Sequence, residues 1–265
     1  MSEAAPLRDV AIIGGGCYGT FYTGQLLTAV ARGRLQVRQV LVVDQNPECQ
    51  ASRELDPGPV WTLIPSKWET FLADFLTAAP ASPGRPDDAV VPSPLTPHLM
   101  AEWLLHLART RWPGRSAALV SPDLPLGTPY DALGPDGTRY VSFADWICPT
   151  HCVEPLTCPV IRGPRTWEMG DALRDYAVRL HRRAPTRGPA LFTTRHHAFG
   201  VGMFHAPEIR ESRALLELAG ESGAPVDLVV GTISACHGAV SILRLGEIAS
   251  GASPPRNDRR YIGAP

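Results

Sequence analysis

Three cysteines and a histidine lie close together in the middle of the chain. Cys148, His151, Cys152 and Cys158 follow the spacing C-x2-H-C-x5-C within a proline-rich stretch. Thiolates separated by short loops bind zinc or iron–sulfur clusters, and imidazole is a common zinc ligand. Glu154, between two of the cysteines, is expected to be a solvated loop residue, with a hydrogen-bond acceptor behind the ligands or a proton donor as the alternatives. The spacing predicts a metal site, with a structural zinc, a functional metal or iron–sulfur cluster, redox-active thiols and metal-free loop cysteines as the alternatives.

Two further groups of reactive side chains follow predicted strands in the last third of the chain. His196 and His197 come after one strand, and Cys236 and His237 come after the last strong strand. Because ligands of open α/β sheets bind beyond the carboxyl ends of strands, these residues are expected to face the cysteines. Cys236 or His237 is then a candidate to complete the metal coordination. Since imidazole titrates near neutral pH, His196, His197 and His237 are the candidate catalytic acid–base residues.

A glycine-rich turn near the N-terminus points to a different chemistry. Gly14, Gly16 and Gly19 satisfy the pattern G-x-G-x-x-G between an apolar run and a predicted helix. The first glycine permits a tight turn, the second lets the backbone approach a pyrophosphate, and the third lets helix and strand pack closely. The amides of the helix N-terminus then face the anion. The same predicted site includes the intervening residues Gly15, Cys17 and Tyr18.

Asp44 ends the second apolar strand, where a dinucleotide site needs an acid. Its carboxylate can accept hydrogen bonds from ribose hydroxyls and would repel a 2′-phosphate. The glycines and the acid therefore predict a dinucleotide cofactor, with NAD favoured over NADP. FAD is the alternative cofactor, because flavoproteins use a similar fingerprint. The later flavin motif, a strand leading to Gly-Asp, is matched only loosely by Gly231 and Thr232.

The elements that must position these residues alternate between strands and helices. Apolar patterning predicts strands at 10–13, 40–43, 89–91, 117–120, 190–194 and 226–233, and helices at 18–31, 66–76, 97–107, 169–180 and 208–219. Ser66 and Thr96 are typical helix caps. The alternation predicts an α/β fold, a doubly wound, mostly parallel sheet with helices on both faces. Its expected parts are a dinucleotide-binding half at 1–120, a Cys/Pro-rich insertion at 121–165 and a second half at 166–265 that completes the sheet.

One further segment carries a family resemblance. The strand at 88–92, followed by Thr96, Pro97 and His98, looks like the third strand and Thr-Pro turn of NAD-dependent dehydrogenases. Over about the first 120 residues the chain resembles the NAD(P)-binding Rossmann-fold superfamily. The resemblance implies that NAD lies over this turn. It departs at 121–123, where Ser-Pro-Asp stands in place of the Lys-Pro of many such families.

These observations favour an NAD-dependent oxidoreductase that acts on a small metabolite. One alternative is a non-catalytic regulatory protein that binds NAD or another nucleotide and reports redox or metal status. An FAD-dependent oxidoreductase is the second alternative. The chain leaves little length for a separate substrate domain, which favours the regulatory protein. A ligand-rich insertion beside the cofactor site favours the enzyme, which is the preferred interpretation.

Bulk composition argues against several partners. The chain has 25 basic and 26 acidic residues and a formal net charge of -1, so it has no excess of positive charge for nucleic acid. Its apolar runs are shorter than the roughly 18 residues that a membrane span needs, and its first residues lack the basic region of an export signal. We therefore expect a cytoplasmic protein with a small-molecule substrate and no membrane insertion. A homo-oligomer is left open.

Overall fold

The structure is a computed structural model that describes residues 6–76, 87–148, 152–198 and 200–248. His151, one of the predicted metal ligands, lies outside the described residues. Among the described helices, none is long and apolar enough to cross a membrane.

Helices and strands alternate through the first half of the chain and then give way to several hairpins. The first elements are β1 (Leu7–Ile13), α1 (Cys17–Ala31), β2 (Val37–Asp44), α2 (Gln50–Glu54), β3 (Trp61–Pro65), α3 (Trp68–Phe75), β4 (Asp87–Val91), α4 (Leu99–Arg111) and β5 (Arg115–Val120). The remaining elements are β6 (Tyr130–Leu133), β7 (Arg139–Ser142), β8 (Thr157–Cys158), β9 (Gly163–Pro164), α5 (Met169–His181), β10 (Thr186–Thr193), β11 (Arg195–Ala198), β12 (Val201–His205), α6 (Ala206–Glu221), β13 (Val226–Ile233) and β14 (His237–Ile248).

The first sheet has the strand order β3-β2-β1-β4-β12-β11. Strands β1 to β4 are parallel to one another, because the segments α1 and α3 carry the chain back between them. Strand β12 adds to β4 in the antiparallel direction, with Phe204 opposite Val90, and β11 pairs antiparallel with β12. The apolar run at 10–13 is buried on both faces of this sheet, as a parallel strand requires.

The strands of the C-terminal half form a second sheet. Its order is β10-β13-β14-β7-β6, and β5 also pairs with β14. Only the β10–β13 pair is parallel among the described pairs of this sheet. The prediction of a mixed α/β chain is confirmed, whereas a single doubly wound, mostly parallel sheet is not. The difference arises because β14 turns back on β13 as a hairpin, which forces antiparallel pairing.

Helices fill the space between the two sheets and cover their outer faces. The largest apolar cluster joins side chains of both sheets with α4 and α6, and includes the buried Trp103, Phe192 and Phe204. Helix α1 packs on the other face of the first sheet through Leu26 and Ala29. Helix α5 covers the outer face of the second sheet through Leu173 and its neighbours. The sheets are therefore held together by a shared core.

The helix starts differ from the sequence prediction. Helices α3 and α4 begin later than predicted, and neither has a side-chain cap. The Ser66 hydroxyl donates instead to the Lys67 carbonyl, and the Thr96 hydroxyl donates to the Ser93 carbonyl. The predicted caps at Ser66 and Thr96 are wrong because each hydroxyl donates to a backbone carbonyl of the segment that precedes its helix.

Candidate functional site

The glycine turn joins β1 to α1 with the geometry that the motif predicts. Gly14 has a φ of +93°, which L side chains rarely adopt, and its N–H donates to the Val43 carbonyl at 2.8 Å. A Cβ on Gly19 would lie 1.8 Å from the Gly14 carbonyl oxygen, so helix and strand can approach only without that side chain. At Gly16, the N-cap of α1, a Cβ would meet no described atom within 4 Å. The space in front of the helix is therefore open.

Asp44 is hydrogen-bonded to this turn. Its Oδ2 accepts a hydrogen bond from the Gly15 N–H at 2.7 Å, and its Oδ1 accepts one from the Asn46 N–H at 2.8 Å. A carboxylate has about four acceptor positions, so two remain for hydroxyl donors. Beside the turn, Cys17 is exposed and the Tyr18 ring is 44% exposed. The structure thus brings together all seven residues of the predicted cofactor site.

A cavity of about 610 Å³ opens where strands of both sheets end. One wall is the segment 92–94, directly after β4, and another is Tyr22 of α1. The opposite walls are the β13–β14 turn and the end of β7. The lining side chains with polar or aromatic groups include Tyr22, Tyr140, Ser142, Trp146, His196 and His237.

His237 is the most firmly oriented of the predicted catalytic residues. Its Nδ1 lies 2.8 Å from the Ser142 hydroxyl, whose own proton is directed to the Ala144 carbonyl at 2.9 Å. The contact with Ser142 holds the imidazole ring of His237 against the end of β7. Nε2 lies 3.7 Å from Glu154 Oε1 and 3.8 Å from Cys148 Sγ. Nε2 therefore faces the cysteine-rich segment.

The other two predicted histidines have different surroundings. His196 lines the same cavity as His237, and burial lowers its pKa while Glu154 partly offsets that effect. His197 is not among the described residues that line it. Its Nε2 lies 2.6 Å from Nε2 of His205, and burial, with this neighbour, lowers the pKa of His197 to about 4. The structure therefore brings together His196 and His237, and leaves His197 in a separate imidazole pair.

Glu154 ties the cysteine-rich segment to the β13–β14 turn. Its carboxylate accepts hydrogen bonds from the Ser234 hydroxyl at 2.6 Å and from the N–H groups of Ala235 at 2.6 Å and Cys236 at 3.2 Å. The side chain is only 11% exposed. The expectation that Glu154 is a solvated loop residue is therefore wrong. Three donors from one turn draw its carboxylate inward.

The cysteines of this region lie close to one another. All six cysteines of the chain are among the described residues, and each is a free thiol. Burial raises the pKa of Cys148, and the neighbouring Cys152 and Cys158 raise it further. Burial also raises the pKa of Cys236 to about 11, although the Trp167 indole N–H donates to its sulfur at 3.3 Å. In the described part of the chain, no three His, Cys, Asp or Glu side chains are arranged around one metal-ion position.

His98, which follows the Thr-Pro turn, is a buried histidine that the sequence analysis did not include among the site residues. His98 is 6% exposed, its Nδ1 lies 2.9 Å from the Thr232 hydroxyl, and its Nε2 has no hydrogen-bond partner among the described residues. Burial lowers its pKa to about 4. Thr232 lines the large cavity, whereas His98 lines a second one of about 370 Å³ with Glu102 and Asp136. The sequence pattern contains no signal for this pairing, because His98 lies at the start of α4 whereas Thr232 lies on β13 of the second sheet.

The fold and site define an α/β protein with a glycine-turn cofactor candidate and a cavity between two sheets. A family model, AF_1314_C, described as "Uncharacterized protein, C-terminal domain", matches residues 100–246. This match covers more than half of the chain, so the chain belongs to that family. It includes His196, His237 and the four cysteines Cys148, Cys152, Cys158 and Cys236, and it excludes the glycine turn. No curated protein and no solved structure matches the chain.

Proposed function

We propose that the protein is an NAD-dependent oxidoreductase that acts on a small metabolite. The observation that carries this proposal is the open space in front of α1 at Gly16, beside Asp44 and next to the end of β4. Strands β3, β2, β1 and β4 follow the order 3-2-1-4, which is the first part of the order 3-2-1-4-5-6 of doubly wound nucleotide-binding sheets. Such sheets bind the pyrophosphate at the first helix and the rest of the cofactor beyond the strand ends.

The cavity supplies room for the reactive end of the cofactor. Since β4 is the neighbour of β1, a cofactor held at Gly16 can cross the end of β4 and reach the 610 Å³ cavity. His237 is the proposed acid–base residue, because it lines the cavity and Ser142 orients its ring. His196, on the same cavity, is the proposed second polar contact for the substrate.

A second candidate is an FAD-dependent oxidoreductase. The aromatic rings of Tyr22, Tyr140 and Trp146 line the cavity, and such rings also suit the flat isoalloxazine of a flavin. The glycine turn fits either dinucleotide. Identification of the bound nucleotide separates the two candidates.

The proposed cellular setting is the cytosol. All six cysteines are free thiols, which fits a reducing compartment better than an oxidising one. The balanced charge favours a small-molecule substrate over nucleic acid as the partner.

The test begins with the nucleotide released by denaturing the purified protein, identified by mass spectrometry, and with calorimetric titration of NAD. We expect NAD, and we expect Asp44→Asn to weaken its binding about tenfold or more, because a charged hydrogen-bond acceptor to ribose is lost. The matched control Asp56→Asn changes an exposed acid outside the turn and keeps the wild-type affinity.

Three outcomes would change the proposal. FAD in the released fraction would replace NAD as the cofactor. Equal NAD affinity in the Asp44 and Asp56 variants would remove the glycine turn as the site. Tight NAD binding without hydride transfer to or from any member of a panel of alcohols, aldehydes and acids would favour the regulatory protein.

A further inference from the structure

Three cysteines of one segment and a fourth from far along the chain lie near the β13–β14 turn. Cys148 and Cys152 are four residues apart, Cys158 lies on β8, and Cys236 is in the turn itself. His237, the residue after Cys236, contacts the Cys148 sulfur at 3.8 Å. The sequence separates Cys236 from the others by almost eighty residues, and the fold brings it to them.

Glu154 fixes the relative position of these cysteines. Its N–H lies 3.4 Å from the Cys152 sulfur, and its carboxylate accepts the Cys236 N–H at 3.2 Å. Glu154 therefore holds Cys152 near the β13–β14 turn, which carries Cys236. Glu154 adopts a φ of +51° to do so, which is uncommon for a residue with a side chain.

The cysteine-rich segment has little apolar core of its own. Between β7 and α5, its described regular structure is the two-residue ladder of β8 and β9. Several of its apolar side chains are exposed, with Ile147 at 96% and Leu156 at 77%. Segments that cannot bury enough apolar surface are commonly held together by metals or disulfides, and the cysteines here are free.

The donor atoms that the fold brings to this turn are sulfurs. Cys152, Cys158 and Cys236 lie close enough to interact electrostatically with Cys148, and all four are free thiols. Four cysteine thiolates are the ligand set of a four-iron, four-sulfur cluster.

We propose that Cys148, Cys152, Cys158 and Cys236 bind a four-iron, four-sulfur cluster beside the large cavity. The Glu154 hydrogen bonds position the β13–β14 turn for the fourth thiolate. His237 lies between the cluster position and the cavity. The proposal does not depend on NAD, so it can fail while the proposed function stands, and the reverse also holds.

The test uses the full chain, expressed and purified without oxygen. Iron, zinc and acid-labile sulfide are quantified, and visible absorption and electron paramagnetic resonance are recorded before and after reduction by dithionite. We expect about four irons and about four sulfides per chain. Serine at any one of the four cysteines should remove most of the iron and the cluster absorption, whereas Cys49→Ser, at a buried free thiol outside the cysteine-rich segment, should keep the iron content.

Folding is followed separately in each variant by near-ultraviolet circular dichroism and by titration of NAD. A variant that keeps its fold and loses its iron supports the ligand assignment. If every variant at the four cysteines unfolds, wild-type iron and sulfide content still decides whether the cluster exists. About one zinc per chain without sulfide, the absence of metal from the wild type, or full iron content in Cys236→Ser would each overturn the proposal.

Discussion

The glycine turn and the cysteine-rich segment acquire their geometry in opposite ways. The contacts that shape the turn connect Gly14, Gly15 and Gly19 with one another and with the end of β2, about thirty residues away. The cysteine-rich segment is positioned by Glu154, whose partners lie 80 to 82 residues later. A short motif is thus enough to shape the glycine turn, while the position of the cysteine-rich segment depends on a correctly assembled second sheet.

The strongest test of this difference is a methyl group added to the turn. In Gly19→Ala the Cβ would lie 1.8 Å from the Gly14 carbonyl oxygen, so α1 and β1 must separate. We expect the free energy of unfolding to fall by about 3 kcal/mol, the upper part of the range for overpacking. Chemical denaturation monitored by circular dichroism measures this change.

The same helix offers a matched control. In Gly24→Ala the new Cβ would meet no described atom within 4 Å. Because alanine is the better helix former, this variant should be more stable than the wild type by up to about 1 kcal/mol. Equal stability of the Gly19 and Gly24 variants would show that the close approach of helix and strand is not what limits residue 19.

The buried His98 tests a contact of the long-range kind, since its partner Thr232 lies 134 residues away. Burial lowers its pKa from 6.5 to about 4 in the folded state. Between these pH values the unfolded chain binds the proton and the folded protein does not. The contribution of neutral His98 to stability is therefore complete above about pH 6.5. As the pH falls to about 4, this contribution is lost, and the free energy of unfolding decreases by about 3 kcal/mol.

Denaturant unfolding from pH 7.5 to pH 4 measures this loss. His196, His197 and His205 also have lowered pKa values and act in the same direction, so the share of His98 is isolated by comparing variants. His98→Asn should flatten the pH dependence by about 3 kcal/mol. A profile as steep as that of the exposed control His106→Asn would contradict the buried neutral state of His98.

A smaller effect is expected where Glu154 meets the β13–β14 turn. In Glu154→Gln the charged acceptor is lost and its amide cannot accept from all three donors of the turn. We expect local opening to become easier by about 2 kcal/mol, or about 30-fold faster hydrogen exchange at Ala235 and Cys236. Exchange followed by mass spectrometry measures the change. The exposed Glu221→Gln should leave these rates unchanged, and unchanged rates in Glu154→Gln would remove its role as the link.

Much of the first sheet could be predicted from the sequence. Continuous apolar runs predicted β1, β2 and β4, because buried parallel strands have no polar face. The helical stripe of Trp103 and its neighbours predicted α4. The sequence analysis missed several strands, all of which except β14 are short: β3, β6, β7, β8, β9, β11, β12 and β14. The Asp136-Gly137 pair was the one local signal for a hairpin turn.

The candidate site shows the same difference between residues of a local motif and residues joined by long-range contacts. The motif predicted the residues of the glycine turn and Asp44, and the structure brings them together. Strand ends predicted that His196 and His237 face one region, but no pattern separated them from His197, which pairs with His205. Ser142 and Thr232, which orient His237 and His98, could not be found from spacing, since each lies more than ninety residues from its partner.

The sequence by itself determined the α/β character, the glycine turn and its acid, because each depends on backbone conformation and contacts within one βαβ unit. The tertiary structure decided that the later strands form a second sheet, that a cavity opens between the two, and that Cys236 and Glu154 meet the cysteine-rich segment. The physical reason is the range of the forces involved. Local sterics act between neighbours in the chain, whereas strand pairing and buried hydrogen bonds depend on which surfaces the whole core brings into contact.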